Sequence, residues 1–93
     1  DLLISKDLRS VSRKGETVLV TDSEFELLWL LALQAGDTVK RDDLFLTLRG
    51  KPYDGSDRSI DMRVSSLRKA LQKNNPERDY IKTLRQQGYI LLT

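Results

Sequence analysis

The apolar positions between residues 57 and 71 recur with a helical period. In the stretch DRSIDMRVSSLRKAL they fall at spacings of four, three and four residues, at Ile60, Val64, Leu67 and Leu71. This spacing is the stripe of an amphipathic helix with one face in a core. The opposite side is polar, and after the first residue Asp61 is its only acid. The pattern therefore predicts a helix whose exposed face is mostly basic.

Two other patterns precede this helix. The stretches DLLIS, RSVSRKG and ETVLV predict three short strands of an antiparallel sheet, from alternation at Leu2 and Ile4 and at Val18 and Val20 and from a turn at residues 14–16. The stretch TDSEFELLWLLALQAG predicts a first helix, with Thr21 and Glu24 spaced for a capping box and Gly36 placed to end it. Apolar residues occur on every side of this helix, so we expect it to be the central core element and Trp29 to be part of the core.

A second, shorter helix is predicted for residues 41–48 in KRDDLFLTLRG. Asp42 and Asp43 lie in its first turn, where the helix dipole favours acids, and Gly50 ends it. The loop KPYDGS separates it from the amphipathic helix, which becomes the third helix, over about residues 58–73. Asn74-Asn75-Pro76 is expected to stop that helix.

The last stretch, DYIKTLRQQGYILLT, predicts a β-hairpin over about residues 81–90, with residues 85–88 as its turn. The order is then sheet, three helices and hairpin. This order indicates an α+β fold, a winged helix-turn-helix with an N-terminal antiparallel sheet and a C-terminal hairpin as the wing. At 93 residues we expect a single domain over residues 1–93.

Composition narrows the possible functions. The chain has no cysteine and no histidine, which excludes disulfides and thiolate metal sites and removes the commonest catalytic bases. No set of residues is arranged for catalysis and no glycine-rich phosphate loop occurs, so we expect no enzyme activity, no metal and no cofactor. No apolar run approaches the length of a membrane span, and the absence of cysteine suits the cytoplasm.

The net charge of +2 conceals an asymmetry. Residues 1–57 hold 8 basic and 11 acidic side chains, whereas residues 58–93 hold 8 basic and 3 acidic ones. The second part, with a net charge of +5, has the electrostatic character of a surface that meets a polyanion.

The third helix has the layout that a major groove requires. With Ile60 toward the core and about 100° per residue, the residues that point away are Arg58, Met62, Ser65, Ser66, Lys69 and Lys73. Arg63 and Arg68 lie on opposite flanks, where long cations reach phosphates, while Ser66 lies nearer the groove floor. From the helix alone, a merely solvated basic face is an equally good interpretation.

The predicted hairpin adds a second basic element. Lys82 and Arg85 lie on it, with Thr83 and Tyr89 near its base. An arginine at a hairpin tip suits a narrow, electronegative minor groove, although an exposed loop cation is the plainer alternative. Two basic elements close together in the sequence favour nucleic-acid binding.

Four stretches resemble one protein family. The runs SEFELLWLLALQAG, RDDL, YDGSDRSIDMRVSSLRKAL and YIKTLRQQGYIL are similar to the C-terminal effector domain of OmpR/PhoB-type response regulators. The resemblance covers nearly the whole chain. Its most specific parts are DRSID followed by LRKAL and IKT followed by GY, and the LRG, YDG and DRS motifs are nearest to the RstA-like branch.

The resemblance implies sequence-specific regulation of transcription in a bacterial two-component phosphorelay. In this family the third helix enters the major groove, the wing enters the minor groove, and two copies bind direct repeats of double-stranded DNA head to tail. A receiver domain and a sensor kinase act upstream. The loop before the third helix, here residues 51–56, often contacts RNA polymerase or a neighbouring protomer.

Matching by position assigns the expected DNA contacts. The backbone-contact positions are Arg58, Arg63, Arg68 and Lys69, together with Arg49, which stands where a tryptophan is frequent. The positions near the base edges are Ser65 and Ser66, and the wing contacts are Thr83, Arg85 and Tyr89.

The chain departs from the family pattern in several places. Many members carry arginine where this chain has Ser65 and Ser66, so their base preferences do not transfer. Gln86 replaces a frequent wing glycine, and three N-terminal strands are predicted where the family usually has four. The receiver domain lies outside this sequence, which fits either an excised domain or a natural single-domain relative.

Two other functions compete with DNA binding. A winged helix can serve protein–protein interaction, with its basic face against an acidic partner. A small enzyme is the third possibility, for which no residue pairing gives support. Only DNA binding predicts a steep loss of affinity with salt together with preference for one duplex sequence.

Overall fold

The computed structural model describes residues 2–73, 78–85 and 87–92. It begins with an antiparallel sheet of order β1-β2-β3, whose strands are β1 (Leu2–Ser5), β2 (Ser10–Arg13) and β3 (Glu16–Val18). Val11 in the middle strand lies opposite Ile4 and Val18, which gives the sheet one apolar face toward the core. The three strands predicted from alternation are confirmed, and no fourth strand joins this sheet within the described residues.

The first helix, α1 (Asp22–Ala32), begins with the predicted capping box. Thr21 Oγ1 accepts from the Glu24 amide at 3.1 Å, and the Thr21 amide donates to Glu24 Oε1 at 2.8 Å. The predicted end at Gly36 is wrong, because α1 ends at Ala32. Gly36 instead has a φ of +87° and donates its amide to the Leu91 carbonyl at 3.0 Å, so it shapes the turn that follows the helix.

The core is built around α1, as predicted, but Trp29 is not buried in it. The buried residues of α1 are Glu24, Phe25, Leu27, Leu28 and Leu31. Trp29 is partly buried at the edge of the core, where its ring stacks on Phe25 with centroids 6.5 Å apart and the Lys6 ammonium lies 5.8 Å from it. Its side of α1 faces the turn after β1, which covers the indole only in part.

The remaining elements form the helix-turn-helix and the wing. They are β4 (Val39–Lys40), α2 (Arg41–Arg49), α3 (Ser59–Gln72), β5 (Ile81–Leu84) and β6 (Gly88–Leu91). Sequence patterns missed β4, because two residues are too few to show alternation. It pairs with β6, so the wing hairpin belongs to a three-stranded sheet of order β4-β6-β5.

Both predicted helices are confirmed with small shifts at their ends. Gly50 ends α2 in the left-handed conformation, with a φ of +74°. Asp57 accepts the Ser59 amide at 2.8 Å at the start of α3, whose predicted stripe of Ile60, Val64, Leu67 and Leu71 is buried. The predicted stop at Asn74-Asn75-Pro76 lies outside the described residues.

Gly88 joins the wing to β4. A Cβ atom at this position would lie 2.9 Å from the Lys40 Cα and still closer to the Val39 carbonyl oxygen. Only glycine permits this approach of two backbones, so Gly88 fixes where the wing leaves the body of the domain.

Two structural features are absent from the described residues. None of the helices within the described residues is long and apolar enough to cross a membrane. Across the same ranges, no cluster of three or more acidic, cysteine or histidine side chains is arranged to hold a metal ion.

Candidate nucleic-acid interface

The exposed residues of α3 share one side of the helix. They are Met62, Ser65, Ser66 and Lys69. Their separations of three, four and seven residues from Met62 place them on a single helical face, which we call the outer face of α3. Arg58 at the N-cap and Lys73 at the C-cap are exposed at its two ends.

The cationic side chains around the outer face have no partner among the described residues. No hydrogen bond or ion pair to another described residue engages the side chain of Arg58, of partly buried Arg63 or of Lys69. Their positive charge is therefore uncompensated locally and available to an external anion.

The single acid of α3 is withdrawn from this surface. Asp61 Oδ1 accepts from Arg41 Nε at 2.9 Å and also from the Tyr89 hydroxyl, to which Arg41 Nη2 in turn donates at 3.3 Å. This Arg41–Asp61–Tyr89 cluster joins α2, α3 and β6. Because Asp61 is neutralised there, its charge does not offset that of the outer face.

Tyr89, predicted as a wing contact, lies inside the domain. The side chain is only 3% exposed, its hydroxyl belongs to the cluster, and the Arg41 guanidinium lies 5.4 Å from its ring. Position 89 lies on the inward-facing side of β6, so the tyrosine anchors the wing from within. Sequence reasoning also missed Arg41, for which the helical pattern gave no signal.

The environment of the cluster changes two pKa values. Burial raises the pKa of the Tyr89 hydroxyl above its usual range, and the hydrogen bond to Asp61 adds to this effect. The hydrogen bond to Tyr89 raises the pKa of Arg41, with burial opposing and Asp61 reinforcing the shift. Both effects favour a protonated tyrosine beside a charged guanidinium.

Arg68 is directed toward the wing. Its Nη2 donates to the Ile81 carbonyl at 2.8 Å and to Thr83 Oγ1 at 2.9 Å, while its Nε lies 3.7 Å from Asp79. The side chain is 31% exposed. Sequence reasoning placed Arg68 on a flank of α3, which is correct, but the structure gives its guanidinium wing partners. These bonds link α3 to β5.

The two serines of the outer face have different surroundings. Ser66 donates its hydroxyl to Glu24 Oε2, so it is tied to the start of α1. The Ser65 hydroxyl has no hydrogen-bonding partner among the described residues and is free to meet another molecule. Because Glu24 also forms the capping box, Ser66 holds α3 against the N-terminus of α1.

The wing and the end of α2 supply further cations. Lys82, Thr83 and Arg85 are exposed on the hairpin, with Arg85 in the turn after β5. Gln86, where the family often has glycine, lies outside the described residues. Arg49 is exposed in the last turn of α2.

The loop of residues 51–56 has a defined shape. Asp54 Oδ1 accepts from the amide and the hydroxyl of Ser56, each at 2.8 Å, and the amide lowers the pKa of this carboxyl. The Tyr53 ring packs on Phe45 with centroids 5.2 Å apart. The loop is thus anchored to α2 while most of its residues are exposed.

A buried arginine supports α3 from the opposite side. Arg13 Nη1 donates to the Leu71 carbonyl at 2.7 Å and to the Tyr80 hydroxyl at 3.3 Å. It thereby satisfies a carbonyl in the last turn of α3, where a positive charge is favourable. Sequence reasoning assigned Arg13 only to a strand, although its two-residue spacing from buried Val11 was a signal that it faces inward.

The structure defines a winged helix-turn-helix domain. Helices α2 and α3 form the helix-turn-helix, α3 presents the basic outer face, and the hairpin of β5 and β6 is the wing. Residues 15–91 match the family described as "Transcriptional regulatory protein, C terminal". The chain belongs to this family, the C-terminal effector domains of OmpR/PhoB-type response regulators.

Two relatives illustrate the family. The chain is 45% identical over 82 residues to the transcriptional regulatory protein RstA of Escherichia coli K12, an alignment that covers 88% of this chain and 34% of that protein. It is 36% identical over 92 residues to CpxR of the same organism, covering 99% of this chain and 40% of that protein. The chain thus spans less than half the length of these relatives.

Solved structures agree in fold. The RstA DNA-binding domain of Klebsiella pneumoniae, crystallised with the RstA box, superposes with a TM-score of 0.88 at 44% identity, covering 98% of this chain and 90% of that one. The CpxR DNA-binding domain of E. coli gives a TM-score of 0.86 at 35% identity, covering 99% of this chain and 90% of that one. The predicted family, its RstA-like branch and the winged-helix fold are confirmed.

Proposed function

We propose that this domain binds duplex DNA, with the outer face of α3 in the major groove and the wing in the adjacent minor groove. The observation that carries the proposal is the composition of that face. Its exposed residues lie on one side of α3. The cationic side chains around them have no partner among the described residues, and the one acid of the helix is held in the Arg41–Asp61–Tyr89 cluster. A polyanion is the ligand that this surface favours.

The side chains divide into three roles in this proposal. Phosphates are contacted by the exposed or partly exposed cations Arg49, Arg58, Arg63 and Lys69. Ser65 meets base edges, and Arg85 enters the minor groove. Arg68 orients the wing through Thr83 and Ile81, so its contribution to DNA binding is largely indirect.

The biological role follows the family. We propose that the domain regulates transcription in the bacterial cytoplasm, under a receiver domain and a sensor kinase, and that it is not an enzyme. Two copies lie head to tail on direct repeats. The anchored loop of residues 51–56 offers a shaped, exposed surface to RNA polymerase or to the neighbouring copy.

A salt titration on a selected duplex tests DNA binding. If the domain neutralises roughly 4–6 phosphates, the logarithm of affinity falls with the logarithm of salt concentration at a slope of about −4 to −5. A scrambled duplex of equal length and polyglutamate serve as competitors. A slope near zero, or equal binding to polyglutamate, would instead support an interaction module for acidic proteins.

The arrangement on DNA needs a separate measurement. Successive major grooves on one side of B-DNA recur every 10–10.5 base pairs, so direct repeats at about that spacing are expected to bind two copies. The number of protein copies bound per duplex is compared on direct repeats, inverted repeats and repeats shifted by five base pairs. Light scattering gives the molecular mass of the domain without DNA. Preference for inverted repeats, or a stable dimer without DNA, contradicts the head-to-tail arrangement.

A further inference from the structure

An exposed methionine occupies the outer face of α3. Met62 is 70% exposed and is the only apolar side chain among the exposed residues of this helix. Single exposed apolar residues are common on protein surfaces, and Leu3 in the N-terminal sheet is exposed to the same extent. What distinguishes Met62 is the surface on which it lies.

Met62 lies near the N-terminal end of that surface and has polar or cationic neighbours on both sides. Arg58 precedes it by four residues, Ser66 follows it by four and Lys69 by seven, so polar or cationic groups lie above and below it along the same helical face. If the outer face of α3 enters the major groove, as the proposed function states, Met62 enters with it. Its thioether is then the one apolar group of that face turned toward the bases.

The major groove offers one kind of apolar group. The C5 methyl of thymine projects there, whereas the other large features of the base edges are hydrogen-bond donors and acceptors. An unbranched thioether side chain adapts readily to an apolar neighbour of this size. The hydroxyl of Ser65 accepts or donates and so discriminates bases poorly, whereas an apolar contact favours a methyl group specifically.

We propose that Met62 reads thymine by packing against its 5-methyl group in the major groove. The contact removes the Met62 side chain and the thymine methyl group from water. A polar base edge at the same position offers no apolar group to bury. This inference rests on the proposed DNA-binding function. It goes further by naming the base that the domain prefers near the N-terminal end of its α3 contact and the side chain responsible.

Replacement of thymine by deoxyuridine tests the contact, because it removes the methyl group and leaves every hydrogen-bonding group in place. The domain is first used to select its own duplex from a random pool. Each thymine of that duplex is then replaced singly by deoxyuridine. The affinity of the wild type is expected to fall about fourfold at one thymine, the effect of one buried methyl group.

Three variants locate the methyl contact. Met62→Ala is expected to bind the thymine and deoxyuridine duplexes with equal affinity. Met62→Leu is expected to retain part of the affinity difference that the wild type shows between them. Leu3→Ala removes an equally exposed apolar side chain from the N-terminal sheet and is the matched control. We expect this variant to show the same affinity difference between the thymine and deoxyuridine duplexes as the wild type. Cytosine and 5-methylcytosine at the same position provide a second pair, in which the methyl group strengthens binding by wild type but not by Met62→Ala.

The outcomes separate this inference from the proposed function. Specific binding without any deoxyuridine-sensitive thymine, or sensitivity that persists in Met62→Ala, overturns the role of Met62 and leaves DNA binding intact. Failure of the wild type to select any duplex overturns both. Loss of deoxyuridine sensitivity in Met62→Ala alone, with binding retained, supports the contact.

Discussion

Two sides of α3 use positive charge in opposite ways. On the side toward the wing, the Arg68 guanidinium donates to the Ile81 carbonyl and to Thr83 and pairs with Asp79. On the outer face, the adjacent residue Lys69 is exposed without a partner among the described residues. Neighbours in a helix are rotated by about 100°, which suffices to give one cation a structural role and leave the other for a ligand.

The wing shows the same division between its base and its tip. At the base, Gly88 lies against β4 and Tyr89 is held by Asp61 and Arg41. Toward the tip, Arg85 is exposed in the turn. The lesson is that the surface proposed to meet DNA depends on an internal set of contacts that fixes the positions of α3 and the wing.

The largest effect on stability is expected from Gly88→Ala, which changes the base of the wing. The new Cβ overlaps the backbone of β4. The backbones of β4 and β6 could move apart to make room only by losing the hydrogen bonds of their sheet. We expect the free energy of unfolding in urea to fall by about 3 kcal/mol.

Gly55→Ala is the control for this substitution. Gly55 also has a positive φ, of +89°, but no atom lies within 4 Å of its added Cβ, so we expect only the cost of the backbone conformation, about 1 kcal/mol. Equal losses for the two variants would show that close packing of the wing against β4 is unimportant.

A smaller effect is expected from Arg68→Met, paired with Lys69→Met. Each variant removes one positive charge, so nonspecific electrostatics are matched. We expect Arg68→Met to lower the free energy of unfolding by about 1–2 kcal/mol, because it loses charged hydrogen bonds at a partly exposed site. Lys69→Met should change stability by less than about 0.5 kcal/mol.

DNA binding should distinguish the same pair. Lys69→Met is expected to reduce the magnitude of the salt slope by about 0.9, the value for one lost phosphate contact, on specific and scrambled duplexes alike. Arg68→Met should leave the slope closer to that of wild type while weakening the preference for the selected duplex, since the wing is less firmly held. The reverse assignment of slope and stability changes would refute the division of roles on α3.

The smallest effect concerns pH and Tyr89→Phe. Near neutral pH the wild type should be more stable by about 1 kcal/mol, because its hydroxyl bonds to Asp61 and Arg41. Burial raises the pKa of Tyr89 in the folded state, so the stability linked to its protonation is complete below the unfolded value of 10 and is lost as pH rises above it. The stability difference between wild type and Tyr89→Phe should therefore narrow above pH 10. Chemical unfolding of both proteins at a series of pH values measures this difference in the free energy of unfolding. A difference that stays constant or widens above pH 10 would contradict the raised pKa of Tyr89.

Much of the fold was predictable from the sequence, because its elements are encoded by local rules. The four-three-four spacing of apolar residues defined α3, Thr21 and Glu24 defined the start of α1, and Gly50 defined the end of α2. Such signals need only neighbouring residues. The neighbouring residues misled at Gly36, which lies in the turn after the helix and donates its amide to the distant Leu91 carbonyl.

What the sequence determined by itself is the set of elements, the winged-helix order and the concentration of positive charge in its last 36 residues. Tertiary structure alone decided which polar side chains remain available. Asp61 is withdrawn by Arg41 and Tyr89, Ser66 is bound to Glu24, and Arg68 is taken by the wing. These partners lie 13 to 42 residues apart in the chain. The periodicity of a helix shows which side a residue faces, whereas its hydrogen-bonding partners depend on which distant segments fold against that side.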